Sequence, residues 1–311
     1  VPDAPRTPLH KRHRPPYYGC GPMNPSPRIS AVVPSYNRPD LLRRVLLALA
    51  AQTRPVDELV ITDDGSSVDV PSGVADVLPE LPFPVTFLSQ PDEGFRAAKC
   101  RNNGIREATG DFLVFADQDI LFGQGYVEFC LRHARPRQFL VGYPVRLTEA
   151  ETATITDHLV RAGRVTDLVH EAGRRKVLSQ FRKERWYVVL HALHLRPFGP
   201  KLRSGVFAAW REDLLTVNGF DEEFRGWGNE DDDLGRRLHR AGIRGRNVFR
   251  EPLSVHMYHP PHHQAMERTN EAYHARQVRE IRRGAVRAHH GIEHPLGDIW
   301  PTRTVLHVPG R

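Results

Sequence analysis

The sequence predicts an α/β fold: a mostly parallel sheet flanked by helices, in a single domain that carries an insertion over residues 147–200. Three observations predict it. Apolar runs of strand length alternate with helical patterns from residue 28 to residue 120, which is the signature of βαβ units. Polar motifs close several of these strands, at the end of a parallel sheet where ligands bind. No internal repeat breaks the alternation, and neither does an apolar run of about 18 residues, the length that spans a bilayer.

Residues 1–27 hold eight of the 26 prolines and almost no aliphatic side chains, so a disordered tail is expected there. Met23 precedes the first strand and is expected to be the native start, with residues 1–22 an over-extended reading frame. "RISAVVPSYNR" reads as an apolar strand broken at Pro34. In "PDLLRRVLLALAAQT", Leu42, Val45, Leu46 and Leu49 share a helical face, and a proline occupies the first turn. "DELVITDDGSS" is a second strand ending in Asp-Gly turn chemistry, and "PVTFLSQ" is a third. "GFRAAKCRNNGIREAT" is a second helix, and "GDFLVFADQDI" is a fourth strand with an acidic tip.

Residues 147–200 read as helical and basic, with the apolar stretch "WYVVLHALHL" near their end. "SGVFAAWREDLLTVNGFDEEF" returns to strand, helix and turn. "GWGNEDDDLGRRL" opens another helix: Asn229 suits the N-cap, Glu230 to Asp233 suit the first turn's dipole, and Gly242 suits the C′ position. "AGIRGRNVFREPLSVHMYHPPHH" supplies a strand and a histidine cluster, and a charged helix is expected over 264–288.

A net charge of +7 predicts attraction to phosphates or acidic lipid. No nucleic-acid reader motif accompanies that charge, so nucleic acid is not expected as a partner. The basic region 161–185 instead suits anionic lipid or a phosphorylated glycolipid. Cys20, Cys100 and Cys130 are odd in number and lack metal-ligand spacing, as in a reducing cytosol.

Four places carry potential chemistry. Asp117 and Asp119, at i and i+2 after an apolar strand, offer hard oxygens to Mg²⁺ or Mn²⁺ bridging a substrate's phosphates. Asp63 and Asp64 can accept hydrogen bonds from a base or ribose, or merely form a turn. His256 and His259, with His262 and His263 beyond, add imidazoles that favour Mn²⁺ over Mg²⁺. Helix capping explains the acids after Asn229, but not Trp227 between Gly226 and Gly228; an exposed indole beside acids suits stacking on a sugar ring.

In order along the chain, "VPSYNR", "DDGSS", "GFRAAKCRNNGI", "GDFLVFADQD", "GFDEEFRGWGNEDDDLGRRL" and "HMYH" resemble the GT-A (Rossmann-like) fold glycosyltransferases of family 2. The stretch from 219 onward is similar to the β-1,4-galactosyltransferase and chondroitin-polymerase type. The resemblance implies a nucleotide-sugar-binding half over 28–146, and an acceptor-binding and catalytic half over 147–263 whose insertion lies on the acceptor side. Residues 264–311 are left as a C-terminal helix and tail. It also implies that Pro34, Ser35, Tyr36 and Arg38 line the base, that Asp63 or Asp64 meets uracil or ribose, and that Arg96 contacts the nucleotide. Asp117, with Gln118 beside it, would face the ribose, and Asp119, His259 and His256 would hold Mn²⁺ or Mg²⁺. Asp231, next to Glu230, would be the catalytic base, and Trp227, with Gly226 and Gly228, would line the sugars.

The implied activity is inverting transfer of a hexose or N-acetylhexosamine from a UDP-type sugar to a glycan, glycolipid or small-molecule hydroxyl. The implied setting is bacterial polysaccharide biosynthesis in the cytoplasm or at the inner face of the membrane. Two rivals fit less well. A sugar nucleotidyltransferase wants a glycine-rich phosphate loop where "PSYNRPD" has no glycine, and an inactive carbohydrate-binding protein has no need of the acids at 117, 119, 230 and 231.

Overall fold

The computed structural model describes residues 27–260 and 270–310. The expected N-terminal tail through residue 26, Met23, His262, His263 and residues 264–269 of the expected C-terminal helix lie outside the described residues.

The first half lays down β1 (Ile29–Ser35), α1 (Pro39–Ala50), β2 (Glu58–Asp63), α2 (Val70–Val74), β3 (Val85–Ser89), α3 (Ala97–Glu107) and β4 (Phe112–Ala116). These four strands are parallel, in the order β3-β2-β1-β4. Next come β5 (Ile120–Phe122), α4 (Tyr126–His133), β6 (Gln138–Val141), β7 (Val145–Arg146), α5 (Glu149–Ala153), α6 (Asp157–Arg161) and α7 (Glu171–Ala192). The chain continues through β8 (Val206–Trp210), α8 (Arg211–Thr216), α9 (Glu230–Arg240), β9 (Arg244–Arg246), β10 (Ser254–His256), α10 (Glu271–Arg283) and β11 (Thr302–His307). One eight-stranded sheet runs β11-β3-β2-β1-β4-β8-β6-β9, and β5-β10-β7 form a small second sheet.

Both faces of the large sheet are apolar. Leu42, Val45, Leu46 and Leu49 of α1 pack on one face, and Ala98, Ile105, Leu234 and Leu238 of α3 and α9 pack on the other. Each such side chain, removed from water, contributes about 1.5–3 kcal/mol. Among the described residues no helix is long and apolar enough to cross a membrane.

The structure differs from the expectations in three places. Pro34 does not break β1, which runs on to Ser35; beyond Val32 only β2 lies alongside, so a strand residue without an N–H is tolerated there. Part of the C-terminal tail is the edge strand β11, antiparallel to β3; its exposed Thr302, Arg303 and Thr304 hide it from an apolar-run reading. Asn229 stands at the N-cap of α9 in a left-handed conformation (φ 74°), and its side chain makes no capping hydrogen bond. The other end of α9 behaves as expected. Gly242 (φ 80°) donates to His239, and Ile243 donates to Leu238, in a Schellman closure.

Candidate active site

The loops that leave β1, β2 and β4 are tied to one another. Gln118 accepts from the Tyr36 N–H (2.9 Å) and the Ser35 hydroxyl (3.1 Å) and donates to the Tyr36 carbonyl (3.0 Å). Asn37 receives the Ser67 N–H at 2.8 Å, so "SYNR", "DDGSS" and "DQD" form one floor. Pro34, Ser35, Tyr36, Gln118 and both acids of "DDGSS" lie together on that floor.

Both acids of the second motif are already engaged. Asp63 accepts from the Ser66 N–H (2.8 Å), which is the turn role. Asp64 accepts from the Arg96 N–H (2.8 Å) and from Gln90 (2.6 Å), tying β2 to the start of α3. Burial outweighs those hydrogen bonds and pushes Asp64 up to about 7. Arg96 directs its guanidinium to Glu93 (3.1 Å) and the Glu222 carbonyl (3.4 Å).

The two aspartates of "DQD" do not act as an extended pair. β4 ends at Ala116, Asp117 to Asp119 form a turn, and the two carboxylates face different partners. Asp117 is held by Arg101 at 2.8 Å and packs against Gly205, where an added Cβ would stand 2.6 Å from its Oδ2. Asp119 faces His259 Nε2 at 3.0 Å and His256 Nε2 at 3.7 Å. Pairing explains why residues so far apart in sequence meet. β10 runs antiparallel to β5 with His256 opposite Ile120, and the Met257 N–H bonds the Asp119 carbonyl at 2.9 Å.

Asp119, His256 and His259 each bring a ligand atom within 4.8 Å of the others. Asp119 Oδ1 is buried and lacks a hydrogen-bond partner among the described residues, a vacancy in bonding that a cation would fill. One carboxylate and two imidazoles form a mixed oxygen and nitrogen set that fits Mn²⁺. His259 Nδ1 lies 3.0 Å from the Pro260 carbonyl, which also receives Arg38 at 2.9 Å. That contact leaves Nε2 facing Asp119. The Asp119 hydrogen bond, opposed by burial, raises the His259 pKa.

The four consecutive acids of α9 point in four directions, as a step of about 100° per residue requires. Glu230 reaches Arg101 at 3.3 Å. Asp232 is enclosed by Arg236 (2.6 Å), His274 (2.9 Å) and Lys201 (3.8 Å). Burial opposes its ionisation, but these neighbours outweigh burial and hold the carboxyl far below the ordinary range. Asp233 is fully buried on Arg237 at 2.7 Å, and Arg237 also donates to the carbonyls of Val217 and Gly219. Asp231 alone of the four makes no ion pair among the described residues. Its Oδ1 accepts the Asp232 N–H at 2.7 Å, and no hydrogen bond is made by Oδ2 among the described residues. Burial raises the Asp231 pKa, with Lys201 pulling the other way.

Trp227 sits 43% exposed on a loop whose glycines are required by backbone conformation: Gly226 has φ 78° and Gly228 φ 101°, with open space where a Gly228 Cβ would stand. The Gly226 N–H bonds the Phe95 carbonyl at 2.9 Å, and Asn270 donates to the carbonyls of Gly226 (3.3 Å) and Gly228 (3.1 Å). Tyr273 donates to Asp221 at 2.7 Å, so the start of α10, together with His274, clamps the loop and α9 from outside.

Arg101, Asn270 and His274 escaped the sequence reading. For Arg101 the reason shows only in the fold: α3 is buried from Ala97 to Ile105, so a cation in it has no solvated face to occupy. Arg101→Met should cost about 3 kcal/mol of stability near neutral pH, because it strands Glu230 and Asp117 beside each other. The loss should shrink as pH falls and Glu230, which burial and Asp231 hold above its ordinary pKa, takes up a proton. Urea unfolding of both proteins across pH measures this.

The profile "Glycosyl transferase family 2" matches residues 30–190, and "N-terminal domain of galactosyltransferase" matches residues 184–274. Validoxylamine A glucosyltransferase of Streptomyces hygroscopicus subsp. jinggangensis (strain 5008) is 33% identical over 259 residues, covering 79% of this chain and 57% of that protein. Chondroitin synthase of Escherichia coli is 27% identical over 246 residues, covering 75% and 35%. The chain thus spans about half the length, or less, of these curated relatives. Among solved structures, mannosyltransferase PcManGT from Pyrobaculum calidifontis, in complex with GDP-Man and Mn²⁺, superposes with TM-score 0.54 at 21% identity, covering 82% of this chain and 64% of that one. S. aureus TarS 1–349 in complex with UDP-GlcNAc gives TM-score 0.56 at 17% identity, covering 86% and 68%. The sheet and its flanking helices are those of the GT-A arrangement.

Proposed function

The chain belongs to glycosyl transferase family 2, and we propose that it is an inverting, metal-dependent hexosyltransferase. It moves a hexose or N-acetylhexosamine from a nucleotide sugar, with UDP as the nucleotide, to a hydroxyl of a glycan, glycolipid or small-molecule acceptor. The observation that carries this reading is Asp231: one carboxylate in a run of four that makes no ion pair among the described residues, has a raised pKa, and follows Trp227 by four residues.

In the proposed reaction the acceptor oxygen attacks the anomeric carbon from the side opposite the leaving diphosphate. Asp231 Oδ2 receives the hydroxyl proton as the new C–O bond forms and the bond from the anomeric carbon to the diphosphate oxygen breaks. Trp227 offers the sugar a flat apolar face, and Pro34 to Arg38 with Asp117 and Gln118 hold the nucleoside. Asp119, His256 and His259 would hold Mn²⁺ or Mg²⁺, which supplies positive charge to the departing diphosphate. Arg101 keeps Asp117 and Glu230 in fixed relation, so donor floor and acceptor helix share one buried cation. The buried free thiols of Cys100 and Cys130 accord with a reducing cytoplasm.

The nucleotide sugars bound in the PcManGT and TarS structures support the donor class. A panel of UDP-, GDP- and dTDP-sugars, screened by thermal shift with Mn²⁺ and then for nucleoside diphosphate release, tests the reading. At a ligand concentration of about 100 times Kd, the native state gains about 2.7 kcal/mol, a readily measured rise in melting temperature. UDP-sugars should give the largest rise and support release; no shift and no release with any donor would overturn it.

A further inference from the structure

α7 and its C-cap residue Leu193 turn one continuous line of side chains to solvent. Arg175, Ser179, Arg182, Trp186, Val189 and Leu193 recur at alternating steps of four and three residues, and all are exposed. The second half of the line is apolar. Trp186 is 66% exposed, Val189 44% and Leu193 61%, and Leu195, just beyond the helix, is 73% exposed. Single exposed hydrophobic residues need no explanation, but four together do.

The charge around them has one sign. Between residues 173 and 203 the only acid is Glu184, which is buried and turned inward to Tyr143 and Gln180. Arg161 is neutralised by Glu80 and Asp157, Arg164 by Asp167, and Arg174 by Glu251. Arg175, Lys176, Arg182, Lys183 and Arg185 meet no carboxylate among the described residues. The structure therefore divides the basic region 161–185. Its start is paired within the protein, its end faces outward, and the apolar patch continues it to Leu195.

We propose that the outer face of α7, with the turn that follows it, docks the protein on a bilayer surface containing anionic lipid. Trp186, Val189, Leu193 and Leu195 enter the interface, and the unpaired arginines and lysines meet headgroup phosphates. A second copy of this chain is a poorer occupant, because pairing two such faces would set the same unpaired cations against each other. The inner face of α7 leads back to the proposed acceptor side: Glu184 bonds Tyr143, and Arg203 lies over the Tyr143 ring at 4.6 Å.

Co-sedimentation of the full chain with phosphatidylcholine vesicles, alone or mixed about two to one with phosphatidylglycerol, tests the proposal. Partitioning should be at least about tenfold stronger on the anionic vesicles and should weaken as salt is added. The double variant Trp186→Glu, Leu193→Glu should lose about tenfold or more of that binding with an unchanged melting temperature, since both side chains are exposed. Arg182→Gln with Lys183→Gln should reduce the preference for anionic over neutral vesicles. Absence of binding, or equal binding by Trp186→Glu, Leu193→Glu, overturns the proposal. So does a concentration-dependent dimer in lipid-free buffer that this variant abolishes, which would assign the patch to self-association. The assay uses neither donor nor metal, so its failure leaves the proposed transfer reaction untouched.

Discussion

Asp231→Asn is expected to lower kcat by about 10²–10⁴-fold, the usual worth of a positioned general base. The replacement is isosteric, and the asparagine carbonyl can still accept the Asp232 N–H that Asp231 Oδ1 accepts, so the loop and helix should keep their shape. Donor affinity and melting temperature should therefore stay close to those of the parent. A loss confined to kcat marks an interaction made in the transition state, whereas a matching loss of donor binding would show the acid to be structural and sink the assignment. The neighbours supply the contrast. Asp233→Asn breaks a fully buried ion pair with Arg237 and should act through stability, lowering the melting temperature. Burial and the helix dipole act on Asp231 with opposite signs, and its raised pKa favours proton acceptance at neutral pH over a permanently ionised, weakly basic carboxylate.

The part of the fold that is local was legible in the sequence. β1 to β4 and the helices between them are short units, each with its own apolar pattern, and the turn chemistry between them is explicit. β11 was not legible, because an edge strand with Thr302, Arg303 and Thr304 exposed carries no apolar run to find. The candidate site divides the same way. Asp117, Asp119, Asp231 and His259 lie in recognisable motifs, and the structure brings Asp119 and His259 together. Arg101, Asn270 and His274 belong to no such pattern: each acts across a long sequence separation, on Asp117 and Glu230, on the Gly226–Gly228 loop, and on Asp232. Four acids in a row could be read as a helix start from the sequence. That they diverge into two tight structural pairs, one tether to Arg101 and one carboxylate with no ion pair among the described residues depends on what surrounds the helix, and local sequence does not encode that.

Asp119→Ala should be the most damaging change on the donor side, because it removes the sole carboxylate of the Asp119, His256 and His259 trio. Transfer is expected to fall by about 10³-fold or more, and Mn²⁺ binding, followed by calorimetry or electron paramagnetic resonance, should weaken in parallel. In the parent, binding should also be proton-linked, with a definite sign. The hydrogen bond that His259 Nε2 donates to Asp119 raises the His259 pKa, so without metal the imidazole holds its proton to higher pH than an ordinary histidine. A cation must displace that proton, so Mn²⁺ affinity should fall as pH drops through the raised value, by up to about tenfold per pH unit for one proton released. In Asp119→Ala the histidine loses the group that holds the proton, and the weak binding that remains should depend less on pH over the same window. EDTA should abolish turnover in the parent and Mn²⁺ should restore it. Turnover that survives EDTA, or an Asp119→Ala protein that binds Mn²⁺ as the parent does, would remove these three side chains from any metal role.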